Sequence, residues 1–144
     1  MPLVKLLYQL YHPRALDPTV FDDQSPGIDL YTPEPVTIAP GHQVLVDTGV
    51  VILFPENKIG IIKDKSSVAH HKQIVTQAGV IDTGYRGTVR VLLRNVGQDV
   101  QTLQPGDPIA QMLVTTAWQP VLSRTHDPID TNTFRGTRGF GGTE

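Results

Sequence analysis

The sequence predicts an all-β domain, a sandwich or barrel of short strands with one short helix and an extended C-terminal arm. Glycine (13) and proline (12) are frequent and well spread through the 144 residues, so they divide the chain into short segments. These segments are rich in Val, Ile, Leu and Thr, which favour strands. Apolar residues do not recur at helical spacing over any long window, and the prolines would interrupt long helices.

Six segments have the composition of strands, at residues 4–7, 28–31, 44–54, 59–62, 88–94 and 109–114. Residues 88–94 begin with alternating polar and apolar positions, which is typical of a half-buried strand. One helical turn is predicted over residues 66–72, with Ser66 as its N-cap. Many short strands separated by Gly/Pro turns indicate a sandwich or a barrel.

The composition changes near Trp118, after which come prolines, several Thr and Asp residues and a glycine-rich end. We therefore expect a core domain over residues 1–117 and an arm over residues 118–144. An arm that buries little of its own surface is either disordered or docked on a neighbour.

The charge balance and composition exclude several classes of function. With 12 basic and 14 acidic residues the formal net charge is -2, which argues against coating nucleic acid or an anionic membrane. The chain has no cysteine, so it holds no disulfide and no thiolate metal site. No apolar run approaches the roughly 20 residues of a membrane span, and the N-terminus does not read as a signal peptide. We expect a soluble, intracellular (cytoplasmic) protein.

Residues 79–89, GVIDTGYRGTV, predict a tight hairpin turn. We expect Gly84 to adopt a positive φ and the Asp82 side chain to cap the turn. An Asp in such a turn is most often structural. Here, however, the carboxylate of Asp82 comes three residues before the ring of Tyr85. A turn that holds an acid and a ring together can seat a small planar ligand beside a general base.

This string resembles the third signature of the trimeric dUTP pyrophosphatase (dUTPase) family, and four further segments resemble that family's other signatures in the same order. They are residues 26–31 (PGIDLY), 63–69 (KDKSSVA), 105–111 (PGDPIAQ) and 135–143 (RGTRGFGGT). The resemblance implies a jelly-roll-like subunit in a homotrimer, with active sites at subunit interfaces and each arm closing a site on another subunit. It also implies Mg²⁺-dependent hydrolysis of dUTP to dUMP and pyrophosphate.

The resemblance assigns the catalytic base to Asp82, which would orient the attacking water. Tyr85 would pack flat under the deoxyribose and exclude a 2′-hydroxyl by steric clash. The main chain of Gly79, Val80 and Ile81 would recognise the uracil, because donors and acceptors fixed in a turn can match a base edge.

The phosphates would be bound by Lys65, Ser66 and Ser67 at a helix start and by Gln111 as a neutral donor. Lys65 replaces the Arg commonest in the family, so the bidentate fork of a guanidinium is lost. Asp29 would support the metal and phosphate region. Mg²⁺ would be held by the substrate's phosphates and by water, with no direct protein ligand.

The glycine-rich end completes the predicted site. Arg135 would neutralise the γ-phosphate, and Phe140 would stack over the uracil. The backbone of Gly141 and Gly142, with Thr143, would wrap the phosphate with successive N–H groups. Gly142 replaces a Ser common in the family.

Three alternatives stay open. A dCTP deaminase or bifunctional deaminase–dUTPase of the same fold needs a proton-carrying Glu, and aligning the two families places Leu92 there. The glycine–arginine tail could bind RNA, although a single copy on an acidic chain is weak support. A jelly-roll regulatory protein that has lost activity would keep the fold without the chemistry.

Overall fold

The computed structural model describes residues 1–141, which form eleven strands and one short helix. The strands are β1 (Leu7–Leu10), β2 (Thr19–Val20), β3 (Ile28–Tyr31), β4 (Val36–Ile38), β5 (Gln43–Leu53), β6 (Lys58–Lys63), β7 (Ile74–Gln77), β8 (Val80–Ile81), β9 (Thr88–Asn95), β10 (Gln101–Leu103) and β11 (Pro108–Thr116). The helix α1 spans Ser66–Lys72. In this part of the chain no helix is long and apolar enough to cross a membrane.

Two antiparallel sheets face each other. One has the strand order β1-β5-β9-β7, the other has the order β2-β3-β11-β6-β8, and β10 pairs with β4 separately. Buried apolar side chains of both sheets, such as Val91 and Leu93 of β9 and Leu30 and Met112 of the second sheet, belong to one cluster. The sheets therefore pack on a shared core, which confirms the predicted sandwich.

The longest strand, β5, is interrupted where it pairs with β9. The register passes from Asp47 opposite Arg90 directly to Val51 opposite Thr88, so residues 48–50 face Val89 alone. Such a bulge bends a strand locally and redirects its side chains. The bulge lies beside the chain segment that leads into β9.

Composition located the central strands well. The predicted strand at 28–31 and the predicted helix at 66–72 are confirmed, and β5, β6, β9 and β11 differ from their predictions by one or two residues at an end. The first strand was misplaced, because β1 begins at Leu7 and not at residue 4. The strands β2, β4, β7, β8 and β10 are short, at two to four residues, and were not predicted.

The prediction that Ser66 caps the helix was wrong. Lys65 occupies the N-cap position with extended backbone (φ −79, ψ 123) and makes no side-chain capping bond. Gln73 ends the helix in the left-handed conformation, and its N–H donates to the Ala69 carbonyl. The seven-residue helix therefore depends on the packing of buried Val68 and not on a hydroxyl cap.

The predicted hairpin at 79–89 was also wrong. β8 pairs with β6 in the five-stranded sheet, whereas β9 pairs with β5 and β7 in the four-stranded sheet. Residues 82–87 therefore carry the chain from one sheet to the other. Gly84 does not adopt a positive φ; within this segment that conformation belongs to Gly79, at φ +112.

After β11 the chain leaves the body of the domain. The Ala117 N–H donates to the Asn57 carbonyl (2.8 Å), and Lys58 Nζ donates to Thr116 Oγ1 (2.7 Å). Every residue from 118 to 137 is exposed, so this stretch does not pack on its own core.

Gly79 combines a positive φ with a close approach to β6, since a Cβ there would lie 2.9 Å from Ile62 Cβ. We expect Gly79→Ala to lower the free energy of unfolding by about 1–3 kcal/mol. Gly41 shares the positive φ but has open space around it, so Gly41→Ala should cost less. Gly84→Ala should be neutral or stabilising by up to about 1 kcal/mol. Urea unfolding at one fixed protein concentration measures all three, and equal losses at Gly79 and Gly84 would contradict this account.

Candidate active site

The segment of residues 79–88, called here the Asp82 loop, is fixed to the domain by hydrogen bonds to backbone carbonyls. The Tyr85 N–H donates to the Asp82 carbonyl (3.1 Å) and closes a turn. Thr83 Oγ1 donates to the Lys58 carbonyl (2.7 Å), and Arg86 Nη1 donates to the Thr83 carbonyl (2.8 Å). These bonds hold the turn in one shape without using the carboxylate of Asp82.

The Tyr85 side chain lies back over its own loop. Its hydroxyl donates to the Thr88 carbonyl at 2.8 Å. The ring lies close above Gly87, because a Cβ there would be 2.7 Å from Tyr85 Cζ. Any side chain at position 87 would clash with the ring, so this position requires glycine. Tyr85 itself stays 37% exposed.

Asp82 is exposed, and no group in residues 1–141 donates a hydrogen bond to its carboxylate or forms an ion pair with it. The expectation that this side chain caps its own turn was therefore wrong. The carboxylate instead lines a pocket of about 210 Å³ together with Val80, Ile81, Tyr85 and Arg90. Sequence reasoning missed Arg90, although it occupies an outward-facing polar position in the alternating strand β9.

Strand β8 ends the five-stranded sheet, so one of its edges is unpaired. The Ile62 N–H donates to the Gly79 carbonyl (2.7 Å), and Val80 is the next residue, opposite Ile61. Antiparallel pairs alternate between residues that exchange hydrogen bonds and residues that do not. The backbone N–H and C=O of Val80 therefore face the open edge, beside the carboxylate and the ring.

A second group of predicted residues, called here the Lys65 corner, lies where β3, β11 and the end of β6 meet. Lys65 Nζ forms an ion pair with Asp29 Oδ1 at 2.7 Å. Gln111 stands between Asp29 and Lys63 in the strand register, and its Nε2 donates to the Asp64 carbonyl (2.9 Å). Ser66 and Ser67 are exposed at the start of α1.

The carboxylate of Asp64, beside the Lys65 corner, is accommodated by two hydrogen bonds. Its Oδ1 accepts both the backbone N–H and the Oγ1–H of Thr76, each at 2.6 Å. The carboxylate is thereby tied to β7. Sequence reasoning missed Thr76, because nothing local relates it to a residue twelve positions earlier.

The structure does not bring the two groups together within one chain. Ile81 lies opposite Gly60 near the start of β6, so Asp82 lies next to Ile59, whereas Lys65 follows the far end of that strand. From Ile59 to Lys63 the strand alone extends about 13 Å. Neighbouring phosphates of one nucleotide are far closer than that.

The described part of the arm contains three of the predicted residues. Phe140 is fully exposed, and Gly141 adopts φ +99. Arg135 Nε donates to the Arg138 carbonyl (2.9 Å), and Arg138 Nε donates back to the Arg135 carbonyl (2.9 Å). The predicted residues Gly142 and Thr143 lie outside the described residues.

Comparison with known proteins gives the class. The dUTPase family model matches residues 14–144, so the chain belongs to the dUTPase family. Among curated relatives, the deoxyuridine 5'-triphosphate nucleotidohydrolase of Clostridium kluyveri is 33% identical over 142 residues, covering 97% of this chain and 98% of the relative. The enzyme of the same name from Escherichia phage T5 is 33% identical over 141 residues, covering 92% and 94%.

Solved structures agree on the fold. A mutant dUTPase of Staphylococcus bacteriophage 80alpha, in complex with dUpNHpp, superposes with a TM-score of 0.88 at 21% identity, covering 96% of this chain and 97% of that chain. A mutant dUTPase of phage phi11 of S. aureus, described with a structural Mg(II) ion, gives a TM-score of 0.78 at 21% identity, covering 86% and 98%. The predicted jelly-roll-like fold is confirmed.

We expect Asp64→Ala to lower the free energy of unfolding by about 1.5–3 kcal/mol, because it removes two hydrogen bonds to a charged acceptor. Thr76→Val removes one of them and should cost roughly half as much. Urea unfolding is the measurement. Asp107 is an exposed acid whose side chain has no partner in the part of the chain described, so Asp107→Ala serves as the control. A loss at Asp107 as large as that at Asp64 would contradict the assignment.

Proposed function

We propose that the protein hydrolyses dUTP to dUMP and pyrophosphate by attack of water on the α-phosphorus. One observation carries this proposal. An unpartnered carboxylate, a tyrosine ring and an open strand edge meet in one pocket at the Asp82 loop. Family membership and the names of the curated relatives support the same reaction.

The base would be recognised by the backbone at the open edge of β8. Uracil presents an N–H donor flanked by carbonyl acceptors, and the N–H and C=O of Val80 offer the complementary pair. Because these groups are fixed by the pairing of β8 with β6, a base with a different edge would leave them unpaired.

The sugar would lie against Tyr85. The ring is held by its hydroxyl bond to Thr88 and by its contact with Gly87, so it cannot retreat from a bulkier sugar. A 2′-hydroxyl would therefore clash, and ribonucleotides would be rejected.

The carboxylate of Asp82 would take the proton of the attacking water. As the new oxygen–phosphorus bond forms, the bond from the α-phosphorus to the bridging oxygen breaks and pyrophosphate leaves. A positioned general base of this kind contributes about 10²–10⁴-fold in rate. Lys65, the hydroxyls of Ser66 and Ser67, and the Gln111 amide would hold the phosphate oxygens.

The residues of the Lys65 corner fit a Mg²⁺ ion carried by the substrate. Because Mg²⁺ dehydrates reluctantly, the ion would be bound by phosphate oxygens and water. Asp29 uses Oδ1 for Lys65, which leaves Oδ2 able to accept a hydrogen bond from a metal-bound water. When bound, the ion would neutralise charge on the phosphates.

The complete site would be shared between copies of this chain, and we propose a homotrimer. Asp82 and Lys65 lie beyond opposite ends of β6, which extends about 13 Å from Ile59 to Lys63, so one site would take them from different copies. Exposed apolar side chains on β1 and in the arm, including Leu7, Trp118 and Leu122, indicate surface that an assembly would cover. Residues 118–144 would be the arm that crosses to a neighbouring copy, with residues 1–117 as the core domain.

In this assembly the arm would close the site over the nucleotide. Phe140 would stack on the uracil, while Arg135 and the glycine-rich backbone would contact the terminal phosphate. Closure excludes water other than the attacking molecule.

The deaminase alternative lacks its proton carrier. Leu92 is a half-buried residue of β9 whose strand neighbours are Leu45 and Gln77, and a leucine cannot transfer a proton. Release of uracil nucleotide from dCTP would revive that alternative.

We expect Asp82→Asn to lower turnover of dUTP by about 10²–10⁴-fold while dUTP affinity changes little, because only the proton acceptor is lost. Pyrophosphate release should be measured with dUTP, dCTP, dTTP and UTP, with and without Mg²⁺. Asp107→Asn is the matched control and should keep full turnover. Near-normal turnover in Asp82→Asn would refute the mechanism, and no release from dUTP by the unmodified protein would refute the function.

We expect two inactive variants, Asp82→Asn and Lys65→Ala, to regain activity when their chains are mixed by co-expression. If one site takes Asp82 and Lys65 from different copies, random assembly restores about a quarter of the sites. Mixing Lys65→Ala with the Asp82→Asn/Lys65→Ala double variant should restore none. Absence of recovery in the first mixture would show that both residues act from one chain. Truncation before Arg135 can replace Lys65→Ala to test the arm in the same way.

A further inference from the structure

A chain of contacts leads from the Tyr85 ring to two residues that are not part of the predicted site. The Tyr85 hydroxyl donates to the backbone carbonyl of Thr88 (2.8 Å), and the Thr88 side-chain hydroxyl donates to Asp47 Oδ2 (3.0 Å). The other oxygen of Asp47 accepts the Gly49 N–H at 2.9 Å. The position of the acceptor for Tyr85 is thus fixed from the neighbouring strand.

These contacts lie at the bulge in β5. Residues 48–50 crowd opposite Val89, which places Asp47 where it can reach Thr88 although the register pairs it with Arg90. Buried Thr48 adds a second bond, from its Oγ1 to the Val89 carbonyl at 2.7 Å. The first two residues of β9, Thr88 and Val89, are therefore each hydrogen-bonded by a β5 side chain at the register shift.

We propose that Asp47 and Thr88 are positioning residues that set the sugar specificity of the enzyme by fixing the Tyr85 ring. This inference rests on the proposed function, in which Tyr85 excludes a 2′-hydroxyl. Exclusion by clash depends on the ring being unable to move, because a shift of about 1 Å would admit one more oxygen atom. Tyr85 is partly exposed, so packing alone does not hold it.

The proposal predicts a change in selectivity and not only in rate. Thr88→Val and Asp47→Ala should each lower the ratio of kcat/KM for dUTP to kcat/KM for UTP by about 3–10-fold, the range expected for loss of one hydrogen bond. The KM for dUTP should rise more than kcat falls, since the base Asp82 is untouched. Tyr85→Phe, which removes the ring's own bond, should shift the ratio in the same direction.

Conservative variants should rescue the ratio. Thr88→Ser keeps the hydroxyl. Asp47→Asn can still accept the Gly49 N–H and can donate its amide to the Thr88 hydroxyl. In addition, the double variant Asp47→Ala/Thr88→Val should be no worse than Asp47→Ala alone, because Asp47→Ala already breaks the bond that Thr88→Val removes.

The matched control is Thr37→Val. Thr37 Oγ1 and Thr102 Oγ1 lie 3.0 Å apart, in an exposed side-chain bond of the same length on the β4–β10 pair. It should show a comparable loss of stability with an unchanged dUTP/UTP ratio. An unchanged ratio in Thr88→Val and Asp47→Ala, or an equal change in Thr37→Val, would overturn the proposal.

A structural measurement separates this inference from the proposed function. In nucleotide-free crystals of Thr88→Val, the Tyr85 hydroxyl should leave the residue 88 carbonyl or the ring should become mobile. A ring in its original position would overturn the inference even if dUTP is hydrolysed. A displaced ring in a protein that hydrolyses no dUTP would refute the function and leave the positioning role standing.

Discussion

The length of β6 constrains the candidate site more than any other feature. Gly60 of β6 lies opposite Ile81 in the Asp82 loop. The chain reaches Lys65 two residues after the end of β6. Because a strand is extended, β6 keeps the two groups at its opposite ends. The proposed site would therefore take the two groups from different copies of the chain, and the exposed residues 118–137 and the exposed apolar side chains support that proposal.

The Asp82 loop is held in shape by hydrogen bonds within the protein itself. Its polar side chains Thr83, Tyr85 and Arg86 all donate to backbone carbonyls, which do not rotate or titrate. Among the polar side chains of this loop, that of Asp82 alone has no partner within residues 1–141. A carboxylate held on a rigid loop and free of competing donors costs little reorganisation when it meets a water molecule, which favours catalysis by preorganisation.

Alternation and composition within short segments correctly predicted the position of several strands. The alternation in residues 88–94 gave β9, and the composition of residues 28–31 gave β3, because side-chain burial follows the strand period. The same pattern does not say which strand is the partner, so β8 and β9 were wrongly joined in one hairpin. Resemblance to family signatures pointed to Asp29 and Lys65, but their ion pair spans 36 positions and no spacing rule predicts it. Asp47 was missed because its contact with Thr88 lies at a register shift, which no local pattern shows. Arg90 was missed because the pocket that it lines forms only in the folded chain.

Asn57 and Lys58 join two parts of the molecule that the chain keeps far apart. The Lys58 carbonyl accepts a hydrogen bond from Thr83 Oγ1 of the Asp82 loop. The Lys58 ammonium group donates to Thr116 Oγ1, and the Asn57 carbonyl accepts the Ala117 N–H, both at the base of the arm. The end of β11 and the turn at Asp82 thus share Lys58 as a common anchor. A displacement of residue 58 would therefore disturb the exit of the C-terminal segment and the turn at Asp82 together.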